Sequence, residues 1–276
     1  MAAAKLTRMP SSEPLVPDIG FVRIKQCRHG RMLYNVNDIY VGRSLDLYGE
    51  YSEGETELFA QIVQSGDVVV EVGANIGTSS VFFAKRVAPT GVVVAFEPQR
   101  VVFQMLCANV ALNALTNVNA YQQAVGAERG SINVPMIETN APNNFGGLEL
   151  TAANAPRGQQ VPLVRIDDLR LSRLKLLKVD VEGMELPVLQ GAAETIRALR
   201  PVLYVENDRP DQSPALVRFI DSLGYDAYWH RPPLFNPNNF FGNAQNVFPN
   251  IVSINMVCVP KGTPVVGSAP RVDVPA

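Results

Sequence analysis

The stretch DVVVEVGANIGTS, residues 67–79, decides how this chain folds. Val68–Val72 is an apolar run of strand length, bounded by Asp67 and Gly73, and helical periodicity begins at Ile76 and continues to residue 87. A buried strand therefore turns into a helix within a few residues. At such a turn, glycines let the backbone pass close to a ligand, and the helix start presents unpaired N–H groups. A dinucleotide fold would carry G-x-G-x-x-G here, with glycines clearing room for a pyrophosphate. Asn75 and Thr78 stand at the second and third of those places. What remains is an acid, Glu71, followed by Gly73 and Gly77 as G-x-x-x-G. A second strand, Val92–Phe96, runs into Phe96, Glu97 and Pro98. Its acid follows the glycine loop by about 20 residues, the spacing that puts a carboxylate on ribose hydroxyls. The two features together specify an adenosine ligand without a pyrophosphate.

Outward from this unit the chain alternates strand and helix. Ser52 and Glu55 form a capping box that opens a helix over 52–64. A helix over 101–113 and a strand over 118–124 follow. The alternation then breaks: 131–136 and 160–166 read as two strands, joined across a Gly-, Asn- and Pro-rich loop at 140–147. It resumes with a strand at 176–181, a helix at 184–199, a strand at 201–206 and a helix at 214–223. Strands at 225–229 and 251–259 close the series. Strand–helix alternation demands an α/β fold with a mostly parallel, doubly wound sheet covered on both faces, and the last two strands allow an antiparallel edge. Before it, FVRIK (21–25) and RMLYNV (31–36) suggest a small β-hairpin. The chain thus divides into an N-terminal extension with a β-hairpin (1–47), a main domain (48–260) and a loose tail (261–276).

Composition narrows the function classes. The 276 residues are 47% hydrophobic and carry 24 basic against 26 acidic side chains, so the basic footprint of a nucleic-acid binder is missing. No apolar run approaches the ~20 residues of a membrane span, and the first residues lack a signal-peptide core. Cys27, Cys107 and Cys258 are an odd set without a CxxC pair, which points to a reducing, cytoplasmic setting.

The segments DVVVEVGANIGTS, FEP (96–98) and LKVDVEGME (177–185) closely resemble the FkbM family of methyltransferases. The resemblance spans residues 48–260. It implies a Rossmann-like class I methyltransferase fold, S-adenosylmethionine as cofactor, and O-methylation of a hydroxyl on a sugar, glycan or secondary metabolite. By the same resemblance Glu71, Gly73, Asn75 and Gly77 line the methionine end of the cofactor, and Glu97 holds its ribose. Ala124 and Val125 border the adenine, with plain core packing as the competing reading. Glu71 departs from the family, where Asp is common.

Transfer to an aliphatic hydroxyl calls for a general base or a metal. The reaction site of an open parallel sheet lies beyond the carboxyl ends of its strands. Asp180 ends one such strand, and Glu206 with Asn207 ends the next. These three offer oxygen ligands for Mg²⁺ or Mn²⁺; alternatively Asp180 caps a helix, or it and Glu206 touch substrate or cofactor directly. His230, at a strand end, titrates in the range of a base at neutral pH, or is structural. His29 has no assigned role. The loop FNPNNFFGN (235–243) pairs aromatic faces with amides, which suits a carbohydrate acceptor, or else is a self-packed Ω-loop. LYGEY (47–51) is a lid or a packing segment. The competing functions are N-methylation of a small molecule or peptide, an NAD-dependent oxidoreductase, which the absent G-x-G-x-x-G opposes, and a cofactor-binding scaffold without catalysis.

Overall fold

The computed structural model describes residues 10–147, 158–263 and 269–275. An antiparallel hairpin, β1 (Val22–Cys27) and β2 (Gly30–Asn35), leads into α1 (Val41–Tyr48) and α2 (Glu53–Ile62). The alternating unit follows as β3 (Val68–Val72), α3 (Thr78–Val87), β4 (Val92–Phe96), α4 (Arg100–Leu112) and β5 (Val118–Tyr121). Next come β6 (Ala124–Val125), β7 (Gly130–Pro135) and β8 (Gly158–Val164). The chain continues through β9 (Leu176–Val179), α5 (Glu185–Gln190), α6 (Ala193–Leu199), β10 (Val202–Glu206) and α7 (Ser213–Ser222). It closes with β11 (Tyr225–His230) and β12 (Asn255–Pro260).

Among the described residues the main sheet has seven strands in the order β11-β12-β10-β9-β3-β4-β5. From β10 to β5 neighbouring strands run parallel, while β12 is inserted antiparallel between β10 and β11. The expected doubly wound sheet with an antiparallel edge is thus present. On one face Leu176 and Tyr204 pack against Phe59 of α2 and Phe83 of α3; the other packs Leu177, Val179 and Leu203 against α5, α6 and α7. The hairpin docks on α4, where Asn109 bonds to both the N–H and the C=O of Leu33 (2.6 and 2.9 Å), substituting for a neighbouring strand.

Besides the unexpected α1 and the later start of β12 at Asn255 in place of residue 251, three elements differ from the sequence reading. The strand expected over 118–124 ends at Tyr121, and Ala124–Val125 joins a separate three-stranded sheet with β7 and β8. The helix expected over 184–199 breaks at Gly191. A Cβ there would lie 2.0 Å from the Gly126 carbonyl oxygen, so the backbones are in contact. Asp167 caps the second half by accepting the Thr195 N–H at 2.8 Å. Residues 270–272, read as part of a loose tail, form a strap along β11. The Trp229 N–H donates to Pro270 (2.8 Å), the Val272 N–H donates to Ala227 (2.9 Å), and Val272 is buried in the main core. No helix among the described residues is long and apolar enough to cross a membrane.

Candidate active site

The parallel strands β3, β4, β9 and β10 all end at one cleft of about 310 Å³. Its floor is the glycine loop. Gly73 has φ +82°, and a Cβ on it would lie 1.7 Å from the Asp180 backbone oxygen, so the loop and the end of β9 touch directly. Asn75 is also left-handed, at φ 51°. Glu97 leaves β4 and is oriented by two backbone donors: Asn75 N–H to Oε2 (3.0 Å) and Gln99 N–H to Oε1 (2.9 Å). Burial lifts its carboxyl to about 7 despite those two bonds.

Beside this floor runs a buried polar row. Glu71 and Lys178 are register partners across β3 and β9, and Tyr204 on β10 pairs with Lys178 from the other side. Glu71 is 1% exposed, accepts the Ser80 hydroxyl, and has the Lys178 ammonium 3.8 Å away. Burial raises Glu71 to about 7, and Lys178 opposes that rise. Lys178 donates to Asp180 Oδ2 at 2.9 Å; the surrounding charges of Asp180, Glu71 and Glu55 overcome its burial and hold it protonated. Glu206 extends the wall with a buried Oε2 that has no hydrogen-bond partner. Burial, and then the Asp180 charge, push it up to about 10, so it carries its proton at neutral pH. Acidic groups far outnumber cations around the cleft, which favours a cationic ligand.

Residues 71–227 match the model of the methyltransferase FkbM domain, which is more than half of the chain. The chain belongs to the FkbM methyltransferase family. It is 32% identical over 195 residues to methyltransferase sdnD of Sordaria araneosa, a match covering 59% of this chain and 74% of that protein. It is 30% identical over 192 residues to methyltransferase 1 of Beauveria bassiana, covering 62% and 76% respectively. A solved structure, methyltransferase FkbM from Methylobacillus flagellatus, aligns at 19% identity and a TM-score of 0.47 over 70% of this chain and 43% of that one.

In this FkbM-family cleft, Glu71, Gly73, Asn75, Glu97, Asp180 and Glu206 come together. Gly77 does not line it; with φ +85° it is the N-cap of α3, and its side-chain position faces Leu106. Ala124 and Val125 are buried in apolar clusters away from the cleft, which is closed on the glycine-loop side by Asn144, Phe145 and Gly146. The metal triad does not assemble. Asn207 turns its amide onto the Met256 sulfur (3.2 Å), and Asp180 is tied to Lys178. Among the described residues the converging carboxyl groups are instead Glu182, Glu206 and Asp208. Arg209 already pairs with Glu182 (2.8 Å) and Asp208 (3.1 Å), supplying the positive charge that an ion would bring. His230 also lies off the cleft: its Nδ1 is 2.9 Å from the Tyr204 hydroxyl, and burial lowers its pKa.

The loop at 235–248 spends its amides on itself and on the segment 47–50 beneath it. Asn236 donates to Glu50, Asn239 donates to the carbonyls of Asn236 and Asn243, and Asn243 donates to Leu47. It is the self-packed Ω-loop, seated on Tyr48, whose hydroxyl donates to the Gln245 carbonyl. The segment 47–51 packs beneath it, and only Tyr51 of that segment reaches the cleft.

Sequence reasoning missed Lys178 and Glu55. A lysine inside the apolar run LLKV was the available signal for the first. Glu55 was read as half of a capping box, but Ser52 is left-handed (φ 48°) and its side chain makes no bond to the helix N–H groups. Its hydroxyl donates to Glu55 Oε1 at 2.8 Å instead.

Proposed function

We propose that this FkbM-family methyltransferase uses S-adenosylmethionine to methylate a hydroxyl on a small-molecule acceptor, in the class of sugars, glycans and secondary metabolites. The observation that carries the cofactor assignment is Glu97. Two backbone N–H groups fix its carboxylate, and each oxygen keeps lone-pair capacity for one of two neighbouring ribose hydroxyls. The chain's own residues fit the rest of such a ligand. Gly73 lets the loop close directly on the end of β9 to form the cleft floor, and the acidic wall complements a sulfonium and an ammonium. The cofactor supplies a methyl carbon already activated by sulfonium. The protein's part is then to align the acceptor oxygen, exclude water and receive a proton. Tyr51, Leu234, Ile251 and Val252 give the acceptor side an apolar wall, and Asp180 and Glu206 face it with polar groups.

Calorimetric titration with S-adenosylhomocysteine and, separately, NAD tests the cofactor. Binding of the former alone is expected; binding of NAD alone would overturn the assignment. Glu97→Ala removes charge-assisted hydrogen bonds of about 1.5–3 kcal/mol, so affinity should fall roughly ten- to a hundredfold. The acceptor is named by mass spectrometry of cells with and without the gene, which should differ in one compound by one methyl group.

A further inference from the structure

We propose that Glu55 takes the proton of the acceptor hydroxyl, and that Asn255, Tyr204 and His230 form a line behind it that holds it in place. This rests on the O-methyltransferase reading above. Glu55 lines the cleft from the first turn of α2. Its Oε1 accepts from Ser52 Oγ at 2.8 Å and from Asn255 Nδ2 at 3.1 Å, so the carboxylate is fixed before any acceptor arrives. The Asn255 amide also donates to the Tyr204 hydroxyl (2.9 Å), and that hydroxyl meets His230 Nδ1 at 2.9 Å. The Tyr204 hydroxyl bridges the Asn255 amide and the His230 ring. His230 is thus placed to orient Glu55 through two intermediaries.

The other acids around the cleft have other partners. Asp180 is bonded to the Lys178 ammonium, Glu71 lies in the buried row with Ser80 and Lys178, and Glu182 and Asp208 pair with Arg209. Burial and the Asp180 charge favour the protonated form of Glu206, and Glu97 is the ribose acceptor proposed above. Burial raises the Glu55 carboxyl, which makes it the stronger base, and the Lys178 charge opposes that rise. The charged and titratable groups facing it are Lys178 and Asp180 from β9, Glu71 from β3, and Tyr51 and Tyr204. In the step itself the acceptor O–H bond breaks and its proton passes to Glu55. The oxygen electron pair forms the bond to the methyl carbon, and the pair of the breaking carbon–sulfur bond returns to sulfur as a neutral thioether.

The acceptor for the test is the unmethylated compound that accumulates in cells lacking the gene, with S-adenosylhomocysteine as the binding probe. Glu55→Gln should lower kcat by about 10²–10⁴-fold, lose the acid limb of the kcat–pH profile, and bind the probe within about twofold of wild type. Glu55→Asp should recover part of the rate and keep an acid limb. Tyr204→Phe, acting only through Asn255, should lower kcat by about tenfold at unchanged KM and move the acid limb to higher pH. Glu55→Gln turnover within about threefold of wild type, or a residual activity that keeps the acid limb, would overturn the assignment of Glu55. A Tyr204→Phe profile identical to wild type would overturn the positioning line. Failure of the wild-type protein to bind the probe would instead overturn the cofactor reading itself.

Discussion

Glu71 and Glu97 are held by burial at about 7, against 4.5 for a free glutamate. Between those values the folded protein keeps protons that the unfolded chain has released. Stability from these groups is therefore largest at low pH and is lost as pH rises through 7. Glu206, near 10, extends the loss to alkaline pH. Asp46, lowered by Lys25 and Arg23 despite its burial, is ionised in both states over this interval. His230, lowered by burial from 6.5, opposes the trend below that value, one group against three raised carboxyls. The ligand-free protein should melt several degrees lower at about pH 8 than at about pH 5.5, since each pKa unit corresponds to about 1.4 kcal/mol. A thermal scan across that range checks it, and a rising melting temperature would refute the assigned carboxyl states. Glu71 and Glu97 were legible in the sequence because a strand end is fixed by the apolar run before it. Lys178 and Glu55 were not, because their roles depend on which strands lie side by side. The register that sets Lys178 between Glu71 and Tyr204 has no trace along any one strand.

At the level of elements, the glycine loop is the joint that sets β3 against the end of β9. Gly73→Ala would place a methyl group 1.7 Å from the Asp180 carbonyl oxygen and force alanine to φ +82°. Backbone must move, and the Lys178–Asp180 pair moves with it. The expected cost is about 3 kcal/mol or more, a melting temperature lower by about 6–12 °C, together with loss of cofactor binding. Gly77→Ala would meet the far end of the Leu106 side chain instead, which can give way. Denaturation of the two variants side by side should therefore rank Gly73→Ala as the more damaging. The sequence revealed the strand–helix alternation because apolar runs and helical periodicity are local properties. It concealed the break at Gly191 and the departure of Ala124–Val125, since both are imposed by neighbours: the Gly126 carbonyl in one case and the edge of β8 in the other.

Across the whole molecule, the described segments that flank the main sheet are part of the fold. The N-terminal hairpin is bonded to α4 through Asn109, and the strap at 270–272 closes the free edge of β11. The strap adds the Arg271–Asp226 ion pair and buries Val272 in the main core. Truncation after Thr263 should remove about 1.5–3 kcal/mol and lower the melting temperature by about 3–12 °C. Affinity for S-adenosylhomocysteine should stay unchanged, because β12 and β10 stand between the strap and the glycine loop. An unchanged melting temperature would show that the strap contributes nothing.

Trp229, the chain's single tryptophan, donates its backbone N–H to the strap while its ring stacks under the Arg231 guanidinium at 4.2 Å. Its emission is therefore a built-in optical gauge, free of any competing indole. The strap is bonded to the backbone of this residue, so its release should change the tryptophan emission before the rest of the sheet unfolds.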